Sequence, residues 1–338
     1  MRRVNTLFRL RLLAFCLVLP AVTLLSGCNA IQVRVGLKVS LPKLQVTSMS
    51  AALNGDPGIA PGERSGIIAK FVKPDGKVLV TQGKGKGKVL WQDLKVDATV
   101  VSVNKKGTAS LPQDPRISDG KTGHITITVP SHPDLKADFD VPLRYDYPFV
   151  ADFSGASGSN GTNGTNGATG SSGSSGSSDP ANPSPGGDGG NGGNGTDGGD
   201  GGDGGDADDV KVRMTLRPGA HPLLEVGVAP VSGGTELFYL VDPSGGTLTV
   251  LANGGAGGSG GRGGSGGAGG SGGPGIPPGN SGSNGTAGRD GFNGSPGRPG
   301  SITVTYDPSA APFLDALKLV NEGGPKPTLT QATVPLLW

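Results

Sequence analysis

Residues 254–275 read GGAGGSGGRGGSGGAGGSGGPG, with glycine at every third position and no break. Three other stretches hold the same period: Gly155 through Gly176, Gly186 through Gly204 and Gly279 through Gly300. A flexible Gly/Ser linker has no reason to keep phase. A left-handed extended helix of polyproline-II type does, because it has three residues per turn. Every third side chain then falls on one edge, and glycine on that edge lets another backbone come close. Many triplets are Gly-Gly-X, as in GGDGGNGGN at 186–194, which opens two edges of each helix to neighbours.

The runs form two pairs. The segment 179–185 (DPANPSP) joins the first two, and Ile276-Pro277-Pro278 joins the last two with a one-residue shift of register. Strand-like sequence flanks each pair: 147–153 (YPFVADF) and 247–253 (TLTVLAN) lead in, while 210–216 (VKVRMTL) and 301–306 (SITVTY) lead out. The pattern predicts two long glycine-repeat hairpins, 154–209 and 254–300, that leave a β base and return to it. At about 3.1 Å per residue, a straight 22-residue arm reaches roughly 70 Å. The arms can pack as a bundle within one chain, as a trimeric triple helix, or not at all.

Outside the runs the pattern is β. Alternation at 31–39 (IQVRVGLKV), 65–72, 78–81, 94–103, 124–129 and 137–141 predicts strands, and Pro74-Asp75-Gly76 is a hairpin signal. Short strands punctuated by Pro and Gly predict a β-sandwich-like domain over 28–153, immunoglobulin-like in architecture only. A second, smaller β block is split into 210–253 and 301–338, with strands near 210–216, 222–228, 236–241, 247–252, 301–306 and 334–338. The segment 311–320 reads equally as a short helix or a strand. The fold class is mainly β.

The N-terminus carries Arg2, Arg3, Arg9 and Arg11 ahead of an apolar stretch, 12–25, that ends in Ser26-Gly27-Cys28. This is the layout of a secretory signal, and the stretch is short of the roughly 20 apolar residues a permanent span needs. Leu25-Ser26-Gly27-Cys28 resembles the lipobox of bacterial lipoproteins. That resemblance implies cleavage after Gly27 (residues 1–27 being the signal), a diacylglycerol on the Cys28 thiol and acylation of the new amine. Asn29 is not the aspartate of the inner-membrane retention signal, which implies the outer membrane in a diderm host. The repeats in turn resemble bacterial collagen-like proteins, and the Gly-Gly-X triplets resemble the glycine-rich domain of Obg-family GTPases, although no GTPase motif follows.

The whole chain is +2, and loss of the four signal arginines leaves −2. Such a balance gives no reason to expect nucleic acid as a partner. With Cys16 in the signal, Cys28 is the one thiol of the mature chain, so no internal disulfide can form. Lys84, Lys86 and Lys88 sit in Gly-Lys-Gly-Lys-Gly-Lys, which lacks phosphate-loop spacing; a solvated hairpin is expected. His124, His132 and His221 lie on strands or beside prolines, read as structural, and suggest no zinc site. Asp188, Asp197, Asp200, Asp203 and Asp206 recur in phase with the glycines. The expected role of this stripe is solvation and like-charge repulsion that keeps arms apart. Weak Ca²⁺ binding by Asp197, Asp200, Asp203 and Asp206 is the alternative. Asn160, Asn163, Asn194, Asn284 and Asn293 match the glycosylation triplet, a frequent by-product of such repeats. No cofactor motif and no catalytic residue stands out. The expected function is a lipid-anchored structural or adhesive surface protein without catalytic activity. The alternative is a module whose β blocks recognise an extracellular glycan or protein, with the glycine tracts as spacers.

Overall fold

The computed structural model describes residues 29–55 and 57–338 and divides into two compact units, one up to Tyr147 and one from Pro148 onward. The boundary expected near residue 153 therefore falls earlier. The strand at 148–152 finds its partner at 247–251, so its backbone hydrogen bonds belong to the second unit.

In the first unit, β1 (Ser48–Leu53), β2 (Arg64–Val72), β6 (Thr108–Ser110) and β5 (Ser102–Val103) form one sheet in that order, with β3 (Val78–Val80) also on β2. A second sheet runs β4 (Lys95–Thr99), β7 (Gly123–Val129), β8 (His132–Val141). The alternation in β7 buries Ile125, Ile127 and Val129 on one face. Ile125 and Ile127 pack with Ile67 of β2, Ala109 of β6, Val141 of β8 and Trp91, so the two sheets share one core. The Pro-Asp-Gly turn links β2 to β3, with the Gly76 N–H donating to Lys73 C=O.

Three expectations change here. The run 31–39 is not a strand: Asn29–Arg34 form a short helix, α1, and Val39 alone makes a bridge, to Val89. Alternation without a partner strand leaves the ladder groups of an extended chain unpaired. The run 94–103 is broken, because Val100 takes a left-handed φ of 66° and the chain leaves β7 to pair with β6. Sequence alternation also missed β1 and β6, whose Ser/Ala-rich sequences carry little apolar signal.

The second unit contains β9 (Pro148–Asp152), β10 (Val210–Arg217), β11 (Leu223–Pro230), β12 (Leu237–Val241), β13 (Thr247–Leu251), β14 (Ile302–Tyr306), β15 (Leu317–Val320) and β16 (Thr328–Gln331). One sheet runs β12-β11-β10-β14-β16 and the other β15-β13-β9. Residues 308–316 form 3-10 turns ahead of β15, so the ambiguous segment 311–320 is partly each. The final strand expected at 334–338 is absent; β16 precedes it, and the tail is held by side chains instead. Glu225, fully buried, accepts from Arg217 Nε at 2.6 Å and from the Leu337 N–H at 2.7 Å. Trp338 then lies over the Arg217 guanidinium (5.2 Å) and edge-on to Phe238 (5.8 Å). Glu225→Ala leaves the tail N–H without its acceptor. Because Arg217 keeps some access to water, the expected loss is about 2 kcal/mol in denaturant unfolding rather than the full cost of a broken buried pair.

The parallel pairs β9/β13 and β10/β14 matter most. The first aligns the two chains that lead into the glycine hairpins, Leu251 opposite Asp152. The second aligns the two that return, Val210 opposite Ile302. Both hairpins therefore start from strands already in register.

Candidate functional site

Four arms extend from these strands: the first 155–176, the second 186–206, the third 254–275 and the fourth 279–300. Backbone hydrogen bonds link them at every third residue. First-arm glycines donate to the third arm (Gly158 N–H to Ala256 C=O, Gly161 to Ser259, Gly164 to Arg262). The second arm donates antiparallel to the first (Gly190 to Ser171, Gly199 to Thr162) and parallel to the fourth (Gly192 to Ser283, Gly198 to Arg289). The third donates to the second (Gly258 to Gly202, Gly267 to Gly193), and the fourth to the third (Gly285 to Gly267, Gly294 to Gly258), nearly all at 2.8 Å. The repeat of three is that of a three-residue-per-turn extended helix. All of these bonds lie within one chain.

The second and third arms each bond to three neighbours, the first and fourth to two. This is the reason for their compositions. The two inner arms are Gly-Gly-X and offer two close edges; the outer arms are Gly-X-Y and offer one. A Cβ on Gly198, Gly201 or Gly261 would collide with a carbonyl of the facing arm. One edge of the second arm is looser. A Cβ on Gly199 would meet Thr162 Oγ1 at 3.1 Å, and one on Gly205 would meet the Ala156 nitrogen at 3.2 Å. Thr196, the residue that breaks the Gly-Gly-X pattern, lies on this edge and accepts from the Thr165 N–H at 2.7 Å.

The acidic stripe does the opposite of what its charge suggests. Asp188, Asn191, Asn194, Asp197, Asp200, Asp203, Asp206 and Asp209 each accept, through Oδ1, a backbone N–H of the fourth arm or the strand after it, at 2.6–2.9 Å. Each rung spans 92 residues, the same offset as Val210 and Ile302 in the sheet. The ladder continues the sheet register along the arms and ties the second arm to the fourth instead of holding them apart. Asn160, Asn163 and Asn166 do likewise for Ser259, Arg262 and Ser265, at the 99-residue offset of β9/β13. Asn293, Asp290 and Asn284 accept from Gly260, Gly263 and Gly269. All five asparagines of the glycosylation triplets are thus used as clamps between arms. The signal was in the sequence: an Asx residue in constant phase with glycine has its carbonyl oxygen at every turn on one edge.

Successive aspartates of the stripe lie about 9 Å apart along the arm, too far for two carboxylates to share a Ca²⁺ at 2.3–2.6 Å. Among the described residues no group of three or more His, Cys, Asp or Glu comes together to hold a metal. Asp209 differs from the rest in that the Ser301 hydroxyl and N–H both bond it, which lowers its pKa below the ordinary 3.8.

The remaining sequence candidates are scattered. Cys28 and Gly27 lie outside the described residues. Among the described residues no helix is long and apolar enough to cross a membrane. Gly83–Gly85 form a 3-10 turn, with Lys84, Lys86 and Lys88 exposed. His132 bonds the Leu44 carbonyl at 2.8 Å. His124, on the exposed face of β7, is held by Asp140 and Asp138 of β8. The bond to Asp140 chiefly raises its pKa above 6.5, while Lys136 and then Thr126 hold Asp138 down at about 2. The histidine's contribution to stability is therefore full below pH 6.5 and lost as pH rises through its raised pKa. That of Asp138 is present above pH 3.8 and lost as pH falls toward 2. Melts of the protein across pH should show a shallow decline as pH rises from 6.5 through the raised pKa, which His124→Gln removes. An unchanged decline in that variant would contradict the assignment.

No protein-family model matches this chain, and no curated protein matches it. Its class is accordingly one of architecture: a mainly β protein of two units, the second carrying four hydrogen-bonded glycine arms on its sheets.

Proposed function

We propose that this chain is a lipid-anchored protein of the cell envelope, held through Cys28 at the outer membrane, whose glycine arms act as a structural or adhesive element without catalytic activity. The arms are polyglycine-II helices in this reading. The observation that carries it is the continuity of register from β9/β13 and β10/β14 into the arms. A spacer needs no such register; a stiff projecting element does. The distal half of the bundle supports the same reading. Between residues 165 and 196, and between 264 and 287, the charged residues are Asp179 and Asp188 alone, the rest being mostly Gly, Ser, Thr, Asn, Ala and Pro. That surface suits contact with a neutral, hydroxyl-rich partner such as a glycan.

Two measurements test the proposal. Mass spectrometry of the N-terminal peptide from cells should find acylated Cys28 as the first residue, and Cys28→Ser should make the protein extractable from the membrane fraction by a wash in about 0.5 M salt. Cells displaying Gly198→Thr, which disrupts the arms, should lose attachment to a surface or partner, while cells displaying Gly199→Thr keep it. Attachment that survives loss of the bundle would instead place recognition in the β blocks.

A further inference from the structure

Charge is divided unevenly between the two units. Residues 29–147 hold 17 basic and 11 acidic residues, whereas 148–338 hold 8 basic and 16 acidic. Within the basic unit, the stretch that follows Cys28 is the most one-sided. Residues 29–47 contain Arg34, Lys38 and Lys43, and residues 82–92 contain Lys84, Lys86 and Lys88, with no acidic residue in either.

The fold brings these stretches together. The Val39 N–H donates to the Lys88 carbonyl at 2.9 Å and the Leu90 N–H to the Val39 carbonyl at 3.3 Å. A groove lined by Ile31, Arg34, Lys43 and Leu90 sets α1 beside them. The nearest acid in sequence, Asp93, accepts the Leu41 N–H at 2.8 Å. Beside the cations stand exposed apolar side chains: Ile31 at 40%, Val35 at 55% and Leu37 at 59% exposure. Exposed apolar side chains interspersed in sequence with lysine and arginine match the boundary between acyl chains and anionic headgroups.

We propose that this face lies on the anionic lipid surface that holds the anchor. Ile31, Val35 and Leu37 sit at headgroup depth, and Arg34, Lys38, Lys43 and Lys88 sit on lipid phosphates. The inference rests on acylation of Cys28. The helix begins at Asn29, so no linker separates the anchored residue from the face. The acyl chains set the face against the membrane, and its cations add attraction to anionic headgroups. The face also accounts for the exposure of Val35 and Leu37.

The test uses the mature full-length chain with Cys28→Ser, which carries no acyl group. It is sedimented with vesicles of phosphatidylcholine alone or with about one-third phosphatidylglycerol. Binding to the anionic vesicles is expected, with loss in about 0.5 M salt. Lys43→Glu with Lys88→Glu should weaken it at least ~10-fold. The same charge change at Lys318 and Lys326 of the second unit should leave it within about 2-fold. Equal partition to both vesicle types, or equal weakening by both double variants, overturns the proposal. A second measurement covers weak binding: the acylated chain with an environment-sensitive dye on Leu37→Cys should shift its emission to the blue on anionic vesicles. Emission equal to that on neutral vesicles overturns the proposal too. The two readings fail separately. Unacylated Cys28 in cells with vesicle binding intact removes the anchor alone, and acylated Cys28 with no response to anionic lipid removes this face alone.

Discussion

Gly198→Thr is expected to cost about 4 kcal/mol, while Gly199→Thr, the same change one residue on, stays within about 1 kcal/mol of the parent chain. The difference lies in the edge each residue faces. A side chain on Gly198 strikes the Gly261 carbonyl of the third arm. Relief requires the second arm to withdraw, which breaks bonds such as Gly198 to Arg289, Gly201 to Phe292 and Gly261 to Gly199. Each such bond contributes about 1 kcal/mol net. Gly199 faces Thr162 as Thr196 faces Thr165, because Gly199 donates to the Thr162 carbonyl and Thr196 to that of Thr165. The new hydroxyl can therefore accept the Thr162 N–H as Thr196 accepts that of Thr165. Removal of a glycine also lowers the entropy of the unfolded chain, by about 0.4–1 kcal/mol. Thermal unfolding should show a fall of roughly 10 °C for the first variant and little for the second. Equal effects would mean that the two edges are not distinct.

The second large effect concerns the ladder. Replacing Asp197, Asp200, Asp203 and Asp206 together by alanine should cost roughly 3 kcal/mol, at somewhat under 1 kcal/mol for each lost acceptor on this exposed edge. Replacing the same four by asparagine should be close to neutral. Asparagine keeps the Oδ1 acceptor, as Asn191 and Asn194 already do further along the same edge. It also removes like charges spaced about 9 Å apart, near the screening length at physiological salt. Denaturant unfolding of the two four-residue variants separates the roles. If charge itself were the purpose, the asparagine and alanine variants would behave alike.

Much of this protein could be read from its sequence, and the failures have a common cause. The three-residue period located all four arms, and β10 to β14 fell within a residue or two of the alternating runs. These are signals that a segment carries by itself. What depends on a second segment was not visible. The run 31–39 alternates as a strand should, yet it folds as α1 and a turn because only Val39 meets a partner. The aspartates read as a solvated, repelling stripe because their backbone donors lie 92 residues away. Thr196 can interrupt the Gly-Gly-X pattern because its partner Thr165 lies on another arm. The lead-in 147–153 reads as a strand, but the unit it joins is not legible locally, since its parallel partner β13 is remote in sequence.

The four arms form one hydrogen-bonded bundle within a single chain. Native-state hydrogen exchange of the mature chain, resolved at the glycine amides, tests this most directly. The bundle predicts slow exchange with a period of three at Gly158, Gly161 and Gly164 of the first arm, and slow exchange at Gly258, Gly260, Gly261, Gly263 and Gly264 of the third, where Asn293 and Asp290 hold the amides in between. Those protections should be lost together in Gly198→Thr. Exchange of the same amides at the rate of an unstructured chain would contradict it.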